Sequence, residues 1–385
     1  MRSESTTHRS QAPVRLIVAG GGSGGHISPA IAVIRELQRR RPVDILWVGS
    51  GNEFERTAAS SAHASYAAIK TGKLRRYVSL ETPIDAVRIP IGAVQAWRIL
   101  GRWKPDIVLS TGGFVSVPTV VAARARRVPI LTHEQTAHIG LATRINARFA
   151  DVVALSFERS RSLVSAPRGR VVVTGNPIRP AVLGGSRDAA LRRFELPGAL
   201  PLVYITGGAQ GASAINQIVA DALDALLGYV ESIHQCGPAT VHDDIDLLRD
   251  RASRLPSQLR ERYRVVETVG DEIGDVYAAA SLVVGRAGAG TVNELSALGI
   301  PAILVPLPGA EEQRQNALQL ADIGAAVVID QDDLTPTRLT NEIRLLVENP
   351  ARLREMADAA RGQSQGNAAA RIADELERLI GDRSG

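Results

Sequence analysis

A chain of 385 residues with 45% hydrophobic and 22% charged residues can build two buried cores and has the balance of a soluble globular protein. Its single cysteine, Cys236, excludes an internal disulfide framework and any cysteine-built zinc or iron–sulfur cluster, and fits a reducing compartment. The formal charge of +5 does not mark a nucleic-acid binder, because residues 66–104 alone carry eight basic against two acidic side chains, leaving the rest of the chain slightly acidic.

The opening residues, MRSESTTHRSQAP, are polar and lack the apolar centre of a secretion signal, so 1–13 is expected to be a frayed tail. No run of 18 or more apolar residues occurs, so no membrane-spanning helix is expected. Val14 to Ala19 reads as a buried parallel strand, followed at once by the loop Gly20-Gly-Gly-Ser-Gly-Gly25-His26. Ser28 as cap and Pro29 as first helical residue then predict a helix whose buried face is Ala30, Val33, Ile34 and Leu37. Gly20, Gly22 and Gly25 satisfy the dinucleotide fingerprint. However, the next strand, Ile45 to Val48, ends without the ribose-binding acid that should lie about 20 residues on, and Glu53 falls in a later loop.

The basic segment follows. It holds all three lysines and, within Leu74 to Trp103, two of the three tryptophans, Trp97 and Trp103, interleaved with aliphatic residues. Cations for anionic headgroups and indoles for the interface are what a peripheral membrane patch needs. The same residues also fit a helix-rich insertion whose apolar side faces the core.

Asp106 to Leu109 is the next strand, ending in the glycine turn Ser110-Thr-Gly-Gly-Phe-Val-Ser116 before a helix from Val117 to Ala125. Pro129 to Thr132 is another strand, capped by His133-Glu134-Gln135-Thr136. Val171 to Val173 leads into Gly175-Asn-Pro-Ile-Arg179, and the linker-like residues 180–187 predict a domain junction. The pattern then restarts with a strand from Leu202 to Thr206, the turn Gly207-Gly-Ala-Gln-Gly211 and a helix through Ile215 and Leu226. Further strands are expected at 265–269, 282–284, 301–306 and 325–329, and residues 350–380 read as one or two packing helices. The fold class is therefore α/β, with two similar doubly wound halves facing one another across a cleft and ligands at the carboxyl ends of the strands.

The stretch from Val283 to Gln313 carries the most chemistry. A strand runs into a turn with Gly285, Gly288 and Gly290, and Thr291 to Glu294 opens a helix, where bare backbone amides and the helix dipole favour a phosphate. Arg286 and the Thr291 hydroxyl stand beside that turn. Glu294, one helical turn on, suits a ribose diol, and Gln313 lies in a polar loop after the next strand. The same pattern also describes an ordinary βαβ unit whose glycines only make turns. No glycine loop is followed by Lys-Ser or Lys-Thr, and HExxH, CxxC and GxSxG are absent, which removes most triphosphatases, zincins and serine hydrolases. What remains is group transfer from a nucleotide diphosphate, which needs a departing diphosphate neutralised and an acceptor hydroxyl deprotonated. His26 is the candidate base. As a helix-start residue it could equally bond only to backbone.

The motifs Gly21-Gly-Ser-Gly-Gly-His26, Thr111-Gly-Gly-Phe-Val-Ser116, His133-Glu-Gln135, Gly175-Asn-Pro-Ile-Arg179, Gly207-Gly-Ala-Gln-Gly211 and Arg286-Ala-Gly-Ala-Gly-Thr-Val-Asn-Glu294 occur in an order that resembles the MurG family of bacterial peptidoglycan N-acetylglucosaminyltransferases, from about Val14 to Ala326. The resemblance implies a GT-B fold of two Rossmann-like domains. It also implies inverting, metal-independent transfer of N-acetylglucosamine from UDP-GlcNAc to undecaprenyl-pyrophosphoryl-MurNAc-pentapeptide, peripherally on the cytoplasmic side of the membrane. A related UDP-hexose transferase acting on a diacylglycerol or a natural product is the alternative. No cofactor and no metal are implied beyond the donor substrate, and the partners are that donor, the lipid-linked acceptor and an anionic membrane surface.

By the same resemblance His26 is catalytic, and Ser23, Gly24 and Gly25 line the diphosphate or acceptor-phosphate side. Arg179, Ala209 and Gln210 meet the diphosphate, Arg286 and the residues Ala289, Gly290, Thr291 and Glu294 hold the nucleotide, and Gln313 reaches the sugar. Thr111, Gly112, Gly113, Glu134, Gln135 and Thr136 form the acceptor side. Residues 14–180 are then the acceptor and membrane-facing domain, 181–350 the donor domain and 351–385 the packing helices. Three positions depart from the family pattern, which has Asn where Thr136 stands, commonly Ser where Ala209 stands, and His or Gln where Glu312 stands.

Overall fold

The computed structural model describes residues 12–21, 24–72, 82–241, 243–363 and 367–384, with backbone alone at 24, 82–89, 180, 363, 383 and 384. The chain forms two compact units, one of Met1–Gln135, Ile139–Pro177 and Asn367–Gly385, the other of Thr136–His138 and Ile178–Gly366.

In the first unit the order is β1 (Val14–Gly20), α1 (Gly24–Arg40), β2 (Val43–Gly49), α2 (Glu53–Ser61), β3 (Ser65–Ala68) and α3 (Thr82–Trp103). It continues with β4 (Ile107–Gly112), α4 (Ser116–Ala125), β5 (Ile130–Glu134), α5 (Leu141–Asn146), β6 (Val152–Leu155) and β7 (Arg170–Val173). The seven strands lie in the order β3-β2-β1-β4-β5-β6-β7, all parallel, so the strand order reverses between β1 and β4. Both faces of this sheet are covered. Leu16 and Val18 of β1 join one apolar cluster and Ile17 and Ala19 the other, which is why the strand reads as a continuous apolar run.

Helix α1 begins at Gly24, inside the glycine loop, and not at the Ser28 cap that the sequence favours; Pro29 sits within it. The proline forgoes only the bond its amide would give to the Gly25 carbonyl, near the end where helical amides are unsatisfied anyway.

The second unit repeats the pattern with α6 (Arg187–Arg193), β8 (Leu202–Thr206), α7 (Ser213–Leu226), β9 (Glu231–Gln235), α8 (Asp244–Ser253), α9 (Ser257–Arg260) and β10 (Tyr263–Val266). Then come α10 (Ile273–Ala279), β11 (Ala280–Gly285), α11 (Ala289–Leu298), β12 (Ala302–Leu304), α12 (Glu311–Asp322), β13 (Ala326–Val328), α13 (Pro336–Val347) and α14 (Pro350–Gln363). Its sheet runs β10-β9-β8-β11-β12-β13, again parallel, with the reversal between β8 and β11. Leu202 and Tyr204 face one apolar cluster while Val203 and Ile205 face the other.

The last helix, α15 (Ala368–Ser384), belongs to the first unit. Ile372, Ala373 and Leu376 enter the cluster beside Leu16 and Val18. Around that apolar contact Arg40 bridges Asp374 at 2.6 Å and Glu377 at 3.0 Å, and Arg170 pairs with Glu375. Strand β9 gives little apolar signal because its buried side chains, Ile233 apart, are polar. Glu231 accepts from the amides of Gly198, Ala199 and Leu200, and His234 lies between Asn216 and Tyr263.

Candidate active site

In the first unit the carboxyl ends of β1, β4 and β5 gather the expected residues around His26 in the first turn of α1. The His26 Nδ1 lies 2.8 Å from the Thr111 carbonyl and 3.0 Å from Gln135 Oε1. The ring packs directly on Gly112, where a Cβ would sit 3.0 Å from Nδ1 and where φ is +91°; Gly113, at φ +76°, would place a Cβ 2.4 Å from the Gly21 carbonyl. The two glycine turns are therefore interlocked, and neither residue can be anything else without moving backbone. Strand β5 extends to Glu134, so His133 and Glu134 are strand residues and not the cap the sequence implied. Glu134 is buried and accepts from the Gly140 amide at 3.0 Å, which orders the turn into α5. His133 is fully buried, with Nε2 3.1 Å from the Gly175 carbonyl, and burial pushes its pKa down to about 4. A third support lies beneath the first glycine turn. Glu55, fully buried, accepts from the Ser50 amide at 2.6 Å and the Tyr66 hydroxyl at 2.9 Å, and a Cβ on Gly21 would meet its carboxylate. Ser23 lies outside the described residues, and at Gly24 only the backbone is described.

In the second unit the corresponding strand ends are those of β8, β11 and β12. Helix α11 starts at Ala289 with Gly288 as its cap and no side chain closing the cap, so its first amides are not met by a capping group. A Cβ on Gly288 or Gly290 would meet no atom within 4 Å. The protein's own packing does not ask for glycine at either position. A phosphate brought close to those amides would. Ala289 is buried and Gly290 and Thr291 are partly exposed, while Ala209 and Gln210 are exposed at the tip of the turn after β8.

Glu294 is the centre of this half. Its side chain is 6% exposed and holds a two-pronged pair with Arg179, Nε to Oε1 at 2.7 Å and Nη2 to Oε2 at 3.0 Å. The Tyr277 hydroxyl donates to Oε2 at 3.1 Å. Burial works to lower the Arg179 pKa, but pairing with Glu294 outweighs it and leaves the guanidinium above its ordinary value. The sequence assigns Arg179 to the diphosphate and Glu294 to the ribose. The structure joins them, and with three of a carboxylate's about four acceptor sites taken, one is left for a ribose hydroxyl. Tyr277 has no motif around it, and only its position on α10 facing Glu294 reveals it.

Two expectations change. Arg286, read as a cation standing ready for phosphate, instead donates to the Val305 and Pro306 carbonyls at 3.1 and 3.2 Å and to Gln331 Oε1 at 2.6 Å, and burial depresses its pKa. It ties the ends of β11, β12 and β13 together. Gln313 lies in the first turn of α12 and not in a loop, where its Oε1 accepts from the Leu307 amide at 3.0 Å. That contact shapes the loop over a cavity of about 320 Å³ lined by Leu307, Gly309, Arg314 and Asp330.

The basic segment divides. Residues 73–81 lie outside the described residues, as do the side chains of 82–89. Trp103 packs on the core of the first sheet with the Arg15 guanidinium 4.9 Å from its ring, so it is a core residue and not an interface indole. Trp97 is 48% exposed, with Arg126 stacked 3.9 Å from its ring, and shares an open face of α3 with Ile91 and Val94. Thr136 is buried and its hydroxyl donates to the His138 carbonyl.

Two parallel Rossmann-like sheets, each with a glycine turn and polar groups at its switch point, are the architecture of the GT-B fold. Comparison with known proteins agrees: the glycosyltransferase family 28 N-terminal domain matches residues 16–155 and the family's C-terminal domain matches 202–376. The chain belongs to glycosyltransferase family 28. It is 33% identical over 379 residues to the UDP-N-acetylglucosamine–N-acetylmuramyl-(pentapeptide) pyrophosphoryl-undecaprenol N-acetylglucosamine transferase of Treponema denticola, covering 94% of this chain and 97% of that one. To the protein of the same name from Paenarthrobacter aurescens it is 38% identical, over 94% of this chain and 95% of that one. Among solved structures, Acinetobacter baumannii MurG matches with a TM-score of 0.72 at 29% identity, covering 95% of this chain and all of that one. The calicheamicin glycosyltransferase CalG4 shares the fold, with a TM-score of 0.66 at 16% identity over 96% of this chain and 99% of its own.

Proposed function

We propose that this protein transfers N-acetylglucosamine from UDP-GlcNAc to undecaprenyl-pyrophosphoryl-MurNAc-pentapeptide, with inversion and without a metal. The observation that carries the reading is similarity at 33–38% identity, over 94–96% of the chain, to relatives that bear that name. The acceptor hydroxyl oxygen bonds to the anomeric carbon as the bond from that carbon to the diphosphate breaks. The hydroxyl proton passes to His26, and UDP departs. The open amides of α11 and the Arg179 guanidinium neutralise the diphosphate, Glu294 accepts from the ribose diol, and Gln313 with its loop lies toward the sugar. The first unit takes the acceptor, with Thr111, Gly112, Gly113, Glu134, Gln135 and Thr136 on that side.

A lipid-linked acceptor keeps its pyrophosphate at the bilayer surface, so the enzyme works there, on the cytoplasmic side, without crossing the membrane. Among the described residues no helix is long and apolar enough to cross. The open face of α3 formed by Ile91, Val94 and Trp97, flanked by Arg98 and Arg102, suits contact with anionic lipid. Transfer of radiolabel from UDP-GlcNAc to a lipid-extractable muramyl acceptor tests the reading. Label appearing only on a soluble acceptor, or release of free sugar alone, would overturn it.

A further inference from the structure

We propose that Gln135 and His133 are positioning residues that hold the His26 imidazole with its hydrogen on Nδ1, so that Nε2 is the nitrogen that takes the acceptor proton; this rests on the reading of His26 as the base. The Gln135 amide nitrogen lies 2.6 Å from the Thr111 carbonyl and 3.3 Å from the His133 carbonyl. Turning that amide over would set its oxygen against two carbonyl oxygens, so the nitrogen must be the atom between them and Oε1 the atom that faces His26. His26 Nδ1 thus meets two acceptors, Gln135 Oε1 at 3.0 Å and the Thr111 carbonyl at 2.8 Å. A lone pair on Nδ1 would repel both, whereas a hydrogen on Nδ1 satisfies both. Nε2 is then bare, and no described residue bonds to it.

The next link back is His133. Its Nε2 is 3.1 Å from the Gly175 carbonyl, which can only accept, so Nε2 carries that ring's hydrogen and Nδ1 is left as an acceptor. Gln135 Nε2 lies 3.3 Å from that Nδ1. The Ser156 hydroxyl, 3.4 Å from His133 Nε2, gives its own hydrogen to the Glu134 carbonyl at 2.7 Å and so accepts from the ring, which agrees with this assignment. Burial keeps His133 neutral near pH 7, so protonation does not reverse the chain there. One backbone carbonyl, at Gly175, therefore sets the tautomer of a buried histidine, which helps to orient an amide, which in turn sets the tautomer of the catalytic histidine. When Nε2 takes the acceptor proton, the resulting imidazolium has two oxygens already facing its Nδ1 hydrogen. The arrangement does for His26 what a carboxylate does in a Ser-His-Asp triad, using neutral groups.

Two-bond nitrogen–hydrogen correlation spectra of the histidine-labelled full-length protein near pH 7 read the tautomer directly, with the His26 signal assigned by its loss in His26→Gln. Hydrogen on Nδ1 and a bare Nε2 are expected. Gln135→Met keeps length and volume but removes both hydrogen-bonding ends. It removes one of the two acceptors on Nδ1 and leaves the Thr111 carbonyl, so the ring should be held less firmly and kcat should fall by about 10- to 100-fold, part of the about 10²- to 10⁴-fold that a positioned base supplies. KM for UDP-GlcNAc should stay at its wild-type value, and because loss of these buried hydrogen bonds lowers stability, kcat is compared well below the variant's melting temperature. Hydrogen on Nε2 in the unmodified protein, or wild-type kcat in Gln135→Met, would overturn the proposal, and the first needs no variant to fold. Full activity in His26→Ala would instead remove the base reading, a separate failure, because the wild-type spectrum tests the chain independently of activity.

Discussion

If the pair formed by Arg179 and Glu294 holds the donor as proposed, the two residues should act cooperatively in binding it, and this can be measured. A hydrogen bond to a charged group contributes about 1.5–3 kcal/mol, so Glu294→Ala should weaken UDP binding by about 10- to 150-fold if the carboxylate holds the ribose. Arg179 supplies two of the three donors that fix that carboxylate, at 2.7 and 3.0 Å, the third being Tyr277 at 3.1 Å. Arg179→Ala should therefore weaken uridine as well as UDP, with the larger loss for UDP because only UDP carries the diphosphate. The Arg179 side chain is 41% exposed but that of Glu294 only 6%, so removing the arginine leaves a buried carboxylate with Tyr277 alone and should cost folding stability more than the roughly 1 kcal/mol of a surface pair. The double variant should bind UDP more tightly than the sum of the single losses implies, by about 0.5–3 kcal/mol. Calorimetric titration of UDP and uridine into the four proteins gives the cycle. Additivity within about 0.5 kcal/mol, together with unchanged uridine affinity in Arg179→Ala, would show that Arg179 does not act on the nucleotide through Glu294.

Three further outcomes follow from other parts of the molecule. His26→Ala should lower kcat by about 10²- to 10⁴-fold with UDP affinity unchanged by calorimetry; a proportionate loss of melting temperature would mark a structural histidine instead. Burial holds the folded pKa of His133 at about 4, below the unfolded value near 6.5, so the unfolded chain takes the proton first and stability is lost as pH falls from about 6.5 to about 4. Between pH 7.5 and 5 the loss should be about 2 kcal/mol, read by urea unfolding with tryptophan fluorescence, which reports the first unit because Trp47, Trp97 and Trp103 all lie there; a His133→Gln variant with the same pH slope would refute the assignment. Replacing Ile91, Val94 and Trp97 with Ser should abolish co-sedimentation with anionic vesicles at low salt and leave activity on a short-chain, water-soluble acceptor unchanged, whereas unaltered vesicle binding would remove this face of α3 from the membrane contact.

Apolar periodicity was enough to show two doubly wound sheets, because strands buried on both faces are written as continuous apolar runs: Val14 to Ala19 and Leu202 to Thr206 were both visible. Strand β9 is not, since Glu231, His234 and Gln235 are each satisfied by a partner distant in sequence, Gly198, Asn216 and Tyr204 respectively, and leave no local pattern. The start of α1 was misplaced for a different reason. Ser28 and Pro29 are good local signals, but the glycines before them let the helix begin sooner. Family motifs brought Arg179, Glu294, His26 and Gln135 to attention, yet spacing alone could not say that Arg179 would meet Glu294, residues 115 apart in sequence. Arg286 shows the converse: an arginine beside a glycine turn looks like a phosphate ligand until the carbonyls of Val305 and Pro306, ends of a strand two turns later in the chain, are seen to claim it.

The glycines separate what folding requires from what a ligand requires. Gly113, at φ +76° and 2.4 Å from a backbone oxygen at the would-be Cβ, is demanded by the first unit's own packing, so Gly113→Ala should destabilise that unit and lose function only as a consequence. Gly290 is inside α11 and has nothing within 4 Å of its would-be Cβ. Alanine there is a better helix former by about 0.5–1 kcal/mol, so Gly290→Ala should hold or raise the melting temperature. If a diphosphate lies against the amides of that turn, the added methyl group occupies space the ligand needs, and UDP affinity should fall while uridine affinity changes little. A Gly290→Ala protein that melts higher and binds UDP as well as the unmodified one would mean that the open backbone at α11 is not where the phosphates sit, and the diphosphate would have to be sought at the turn of Gly208 and Gln210 instead.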